Sequence, residues 1–147
     1  MNELDISIRN YLYGRFAEQG RPARVDTVSR ELALPKTEVA SAFRRLHDEH
    51  ALVLERNTLE IRMLSPFSCV ASAWRVHAAG RTWYSNCAWD SFAVCAALRT
   101  DGRVEASCAD CGEPIEIEVR GRRPIPDEHL FHMLVPARRW WDDIVFT

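Results

Sequence analysis

Residues 82–98 read TWYSNCAWDSFAVCAAL. The first part, TWYSN, has the β-branched and aromatic composition of a strand. The second part, CAWDSFAVCAAL, is an alanine-rich apolar run suited to a helix, with Asn86 placed to cap it. The change falls at Cys87, and Asp90 follows three residues later. Residues three apart on a helix share a face, with Cβ atoms about 5–6 Å apart. Two readings stay open at this point. Cys87 is a reactive thiol at a helix start with Asp90 as its proton partner, or it is a small core residue and Asp90 helps to cap the helix. The helix-start placement predicts that Cys87 is the most reactive thiol of the chain, because unpaired N–H groups and the helix dipole lower a thiol pKa.

On either side of this stretch the pattern is that of a small α+β domain. CVASAWRVHAAGRTWYSN, residues 69–86, reads as two strands joined by a turn at Ala79-Gly80. RVEAS reads as a strand, CADCGEP as a knuckle-like turn, and IEIEVR as a strictly alternating strand with one apolar and one charged face. HLFHMLVP is a further strand candidate, and ARRWWDDIVFT closes the sequence as a helix or the start of a strand. Trp140, Trp141, Asp142 and Asp143 either frame a pocket or form aromatic packing beside a solvated acidic turn.

The first third is of a different kind. Ile8, Tyr11, Leu12 and Phe16 follow helical spacing, which Gly20 and Pro22 end. Asp26 can cap a second helix carrying Val28 and Leu32. Pro35 suits the first turn of a third, in which Val39, Ala42, Phe43 and Leu46 form a buried stripe. ALVLERNTLEIRML then reads as two short strands about the turn Glu55 to Thr58. Three helices and a hairpin predict a winged helix-turn-helix domain over 1–64, joined at MLSPFS, where Pro66 interrupts regular structure, to an α+β domain over 65–147. The outward face of the third helix carries Lys36, Thr37, Ser41, Arg44 and Arg45, groups that suit phosphates and base edges. Glu38, Asp48 and Glu49 on the same helix weaken that field, so DNA is a partner the charge pattern does not favour.

Bulk composition narrows the classes further. The 147 residues are 47% hydrophobic and 27% charged with net charge −2, a globular profile without the basic surplus of a nucleic-acid binder. There is no signal-like leader and no apolar run long enough to span a bilayer, so a cytoplasmic protein without membrane partner is expected. The five cysteines, Cys69, Cys87, Cys95, Cys108 and Cys111, are then read as thiols. Cys95 belongs to the core by its apolar neighbours. Cys108 and Cys111 form CxxC-G, half of a zinc site, for which Cys69, Cys95, His77, His129 and His132 are the remaining candidates. A tight turn and a redox-labile pair are the competing readings of the same motif.

TWYSNCAWDSF resembles the Cys-x-x-Asp motif of the alkylmercury (organomercurial) lyases, and VEASCADCGEPIEIEV resembles their strand, structural cysteine, Gly-x-Pro turn and alternating strand. The resemblance covers most of the chain. It implies a helix-turn-helix-like N-terminal domain, protonolysis of carbon–mercury bonds, Cys87 as mercury ligand and Asp90 as proton shuttle. It implies no required cofactor, and small cytosolic thiols as the acceptors of mercuric ion. Cys108 takes the place of a structural cysteine, and Cys111 is an addition. The family's second catalytic cysteine lies in an apolar segment that WWDDIVFT approaches, so a divergent or C-terminally truncated member is expected. The alternatives are a metal- or thiol-responsive winged-helix regulator without enzymatic activity, and a structural zinc protein built on the CxxC.

Overall fold

The computed structural model describes all residues except 122, 126–128 and 147. Helix α1 (Glu3–Gln19) begins with a capping box between Asn2 and Asp5 and ends at Gly20, whose φ of 71° places it in the left-handed region. Helices α2 (Val25–Leu32) and α3 (Lys36–Asp48) follow. The α3 stripe Val39, Ala42, Phe43 and Leu46 is completely buried, as its helical period predicts. Asp26 does not cap α2. Arg24 occupies that position, and the Asp26 carboxylate instead pairs with Lys36 across the α2–α3 turn. Pro35 precedes α3 as its cap residue and is not inside its first turn.

Among the described residues, eight strands then form one antiparallel sheet in the order β1-β2-β3-β5-β4-β6-β7-β8. Strands β1 (Val53–Leu54) and β2 (Ile61–Leu64) make the hairpin expected about Glu55 to Thr58. Pro66 sits in the tight turn between β2 and β3 (Phe67–Ser68), where Leu64 pairs with Phe67. Strand β4 (Arg75–Ala78) starts later than its sequence pattern indicated. It turns through Ala79 and Gly80, both at positive φ, into β5 (Arg81–Ser85). Helix α4 (Ala88–Leu98) follows, then β6 (Gly102–Ser107), β7 (Pro114–Arg120) and β8 (Arg123–Ile125). The run HLFHMLVP is irregular chain and not a strand. A short apolar run without alternation carries no period by which to choose strand over coil. A 3-10 helix (Ala137–Asp142) closes the chain.

Cross-strand register sorts the sheet into two faces. Val76 pairs with Trp83 and Val104, and Val104 with Ile117, so these side chains share one apolar face. The opposite face carries a ladder of Arg75, His77, Arg103 and Glu116 around Glu105. Helix α4 lays Ser91, Val94 and Cys95 on the apolar face, and full burial of Val94 contributes about 2 kcal/mol. Phe16 of α1 meets Phe67 and Trp83 with ring centroids 5.2 and 5.8 Å away. One hydrophobic cluster therefore runs from Ile8 to Val119. Among the described residues, no helix is long and apolar enough to cross a membrane.

Candidate active site

Strand β5 ends at Ser85, and the chain enters α4 through Asn86 and Cys87. Cys87, with extended φ and ψ of −154° and −178°, is the cap residue of α4; Asn86 is not. Asn86 is turned the other way. Its Nδ2 donates to Asp90 Oδ2 at 3.0 Å and to the Pro66 carbonyl at 3.4 Å, while its buried Oδ1 has no partner among the described residues. The Cys87 thiol faces the same Asp90 oxygen at 3.8 Å. The sequence motif thus does bring Cys87 and Asp90 together, on the first turn of one helix. Asp90 meets side chains there and does not serve as the helix cap.

Electrostatics at this pair differ from the expectation for a helix start. Burial pushes the Cys87 thiol up, and it outweighs the N–H groups of Asp90 and Trp89 that favour the thiolate; the Asp90 charge adds to the upward push. Burial likewise raises Asp90 above the ordinary carboxylate range, against the opposing pull of Asn86 and Cys87. Both groups are driven towards their neutral, proton-carrying forms. When the sulfur bonds elsewhere, the thiol can hand its proton to the neighbouring carboxylate, and burial favours the carboxyl that results, which can pass the proton to a bound group.

The pair opens into a cleft of about 480 Å³, within the range of ordinary small-molecule sites. Asn86, Cys87, Ala88 and Asp90 line it together with Met63, Ser65 and Trp74. The irregular chain from Phe131 to Val135, with Trp140, Trp141, Ile144 and Val145, supplies the rest of its wall. Trp140 and Trp141 therefore frame a pocket, one of the two readings of that motif. Trp140 Nε1 donates to the Val135 carbonyl at 2.8 Å, which joins the two parts of this wall. Trp89 stands at the rim, 61% exposed, with its ring centroid 6.3 Å from that of Phe131. Asn86 and the Phe131 to Val135 part of the wall carry no site signal in the sequence. An asparagine beside a cysteine carries no periodic signal, and the wall comes from a segment more than 40 residues away in a region read as a strand.

The remaining thiols are dispersed. Cys69 is pushed up to about 12 by burial, and Cys95 is raised by burial and by Asp101. Cys95 packs where α4 crosses β6, as a core residue. Cys108 follows β6, and Cys111 is exposed in the turn to β7. The backbone N–H of Cys111, then that of Asp110, and the Cys111 side chain hold Cys108 below the ordinary thiol range. Local electrostatics thus lower Cys108 and raise Cys87 relative to an ordinary thiol. His77 contacts Thr82 and Glu105 on the charged face of the sheet, and His132 lines the cleft. Among the described residues, no three His, Cys, Asp or Glu side chains gather as a metal site, so Cys108 and Cys111 stand as a pair.

A mixed α+β chain with one antiparallel sheet and a Cys-x-x-Asp pair lining an apolar cleft defines a thiol–carboxylate site protein. The alkylmercury lyase (MerB) family model matches residues 67–147, more than half of the chain. The chain belongs to the alkylmercury lyase family. In fold it is similar to the crystal structure of the mercury-bound form of MerB2, with a TM-score of 0.68 and 23% identity over 86% of this chain. It spans 62% of the length of that structure. No curated protein matches the chain.

Proposed function

We propose that the chain binds organomercurials, or another soft-metal ligand, at Cys87 and cleaves carbon–mercury bonds by protonolysis with Asp90 as the proton shuttle. The observation that carries this reading is the 3.8 Å contact between the Cys87 thiol and Asp90 Oδ2, two residues that line an apolar cleft. Mercury is soft and thiophilic, so Cys87 is its natural ligand here. As the sulfur bonds to mercury, the thiol proton passes to the Asp90 carboxylate, and burial favours the carboxyl that results. Asp90 then delivers the proton to the mercury-bound carbon, and the carbon–mercury bond breaks to give hydrocarbon. In sum, R–Hg–X and the Cys87 thiol give R–H and X–Hg–S on Cys87, with X a small thiolate. That external thiolate supplies the second sulfur that enriches the carbon in electrons, and exchange with further small thiols carries mercury away. The aromatic wall suits the hydrocarbon part of such a substrate.

Residues 1–64 fit a winged helix-turn-helix unit, three helices followed by the β1–β2 hairpin, beside a thiol-bearing unit over 65–147. The first unit serves as scaffold in this reading. Arg45, one of the cations a DNA phosphate would need, is bonded to buried Asp5, which does not favour the regulator alternative.

Incubation of the purified chain with an organomercurial and excess small thiol tests the reading by release of hydrocarbon. Asp90→Asn is expected to keep mercurial binding and to slow cleavage about 100-fold or more. Cleavage by Asp90→Asn at the parent rate removes Asp90 from the mechanism. Unchanged mercurial binding by Cys87→Ser removes Cys87.

A further inference from the structure

Cys108 and Cys111 lie outside the cleft, in the turn that joins β6 to β7. The turn is built by its backbone. Cys108 N–H donates to the Glu113 carbonyl at 2.8 Å, and Gly112 N–H to the Cys108 carbonyl at 3.0 Å. Gly112, at a φ of 74°, supplies the left-handed residue the reversal needs. The bond from Gly112 N–H to the Cys108 carbonyl closes one i to i+4 turn, which sets residues three apart on one side, with Cys111 exposed and Cys108 half-buried. Two thiols three residues apart are therefore held on one side of a surface turn closed by backbone hydrogen bonds.

Donor count decides what such a pair can hold. Zinc in a structural site takes four ligands. Among the described residues, no third His, Cys, Asp or Glu joins this pair. A soft cation that is content with two sulfur ligands needs nothing more than the turn offers. We propose that Cys108 and Cys111 form a surface site for a soft, two-coordinate thiophilic cation, separate from the Cys87 cleft. Binding breaks two S–H bonds, forms two sulfur–metal bonds and releases two protons to solvent, with no change of oxidation state. The proposal does not rest on the lyase reading, because neither thiol lines the cleft.

The test uses mercuric chloride as probe, an excess of a small monothiol as competitor, and the C87S variant, which removes the cleft thiol. After desalting, C87S is expected to retain one mercuric ion per chain, and peptide mass mapping of folded, metal-loaded protein is expected to place it on the peptide holding Cys108 and Cys111. C87S/C108S and C87S/C111S are each expected to hold the ion about 100-fold more weakly, since loss of one sulfur removes the intramolecular second bond. C87S/C108S/C111S is expected to retain none. Mapping of C87S needs no further substitution, so it decides the matter even where a multiple variant folds poorly. The proposal is overturned if C87S desalts free of mercury against the monothiol. It is equally overturned if the ion maps to Cys69 or Cys95.

Discussion

Asn86 Nδ2 donates to Asp90 Oδ2 at 3.0 Å, and that oxygen is also the one the Cys87 thiol faces at 3.8 Å. One carboxylate oxygen thus has both an amide and a thiol as neighbours. The amide hydrogen bond supports the charged carboxylate and opposes the burial that raises Asp90. The same amide reaches Pro66 in the β2–β3 turn, so the pair is tied to the sheet beside it.

Asn86→Ala is therefore expected to move Asp90 further up, away from the ordinary carboxylate range. Removing the donor leaves burial less opposed. The lost hydrogen bond is expected to reduce stability by about 1 kcal/mol. A carbon-13 NMR titration of the Asp90 carboxyl measures the shift, and a downward or absent movement would show that Asn86 does not support the charge.

Thiol reactivity is expected to follow the local electrostatics and not the helix start. At neutral pH and limiting iodoacetamide, the Cys108–Cys111 turn is labelled first, Cys87 later and Cys69 last. The order reflects Cys108 held below the ordinary thiol range, Cys87 pushed up by burial, and Cys69 pushed up to about 12. Peptide mass analysis reads the order, and denaturant should abolish it. Labelling of Cys87 ahead of Cys108 in the folded protein would contradict this account.

Asp5 is 1% exposed, and Arg45 Nη2 donates to its Oδ1 at 2.6 Å. Arg45→Met leaves a buried carboxylate without its cation. A fully buried pair broken in this way costs about 3–5 kcal/mol; here about 2 kcal/mol is expected, because the Arg45 side chain is 39% exposed. The Arg45 hydrogen bond lowers Asp5 from its ordinary value of 3.8. The stabilisation is then complete above pH 3.8 and is lost as pH falls through the lower folded value. Urea unfolding of parent and variant should show a gap that is constant near neutrality and closes only in acid below pH 3.8.

Gly102 lies where α4 crosses β6. A Cβ there would meet Cys95 Sγ at 2.7 Å and the His77 carbonyl oxygen at 2.8 Å. Gly102→Ala is expected to destabilise by about 1–3 kcal/mol. Adding Cys95→Ala should recover only part, because the carbonyl belongs to the β4–β6 ladder and cannot withdraw. Full recovery in denaturant melts would show that the sulfur contact alone matters.

The amino-acid sequence by itself determined what depends on local periodicity. The stripe Val39, Ala42, Phe43 and Leu46, the alternation of Ile115, Ile117 and Val119, and the turn at Ala79-Gly80 each follow from neighbours a few positions apart. The spacing of Cys87 and Asp90 was legible for the same reason, since one helical turn sets it. Only the tertiary structure decided the quantities that distant residues set. It placed Cys87 rather than Asn86 at the helix cap, because Asn86 found the Pro66 carbonyl of a turn 20 residues away. It raised Cys87 where the helix start alone predicted lowering, because burial outweighs two backbone N–H groups. It made the run HLFHMLVP irregular chain, of which Phe131 to Val135 line the cleft with Met63 and Trp74 and accept a hydrogen bond from the Trp140 indole. Desolvation and cleft shape arise from packing between segments far apart in the chain, and no local pattern encodes them.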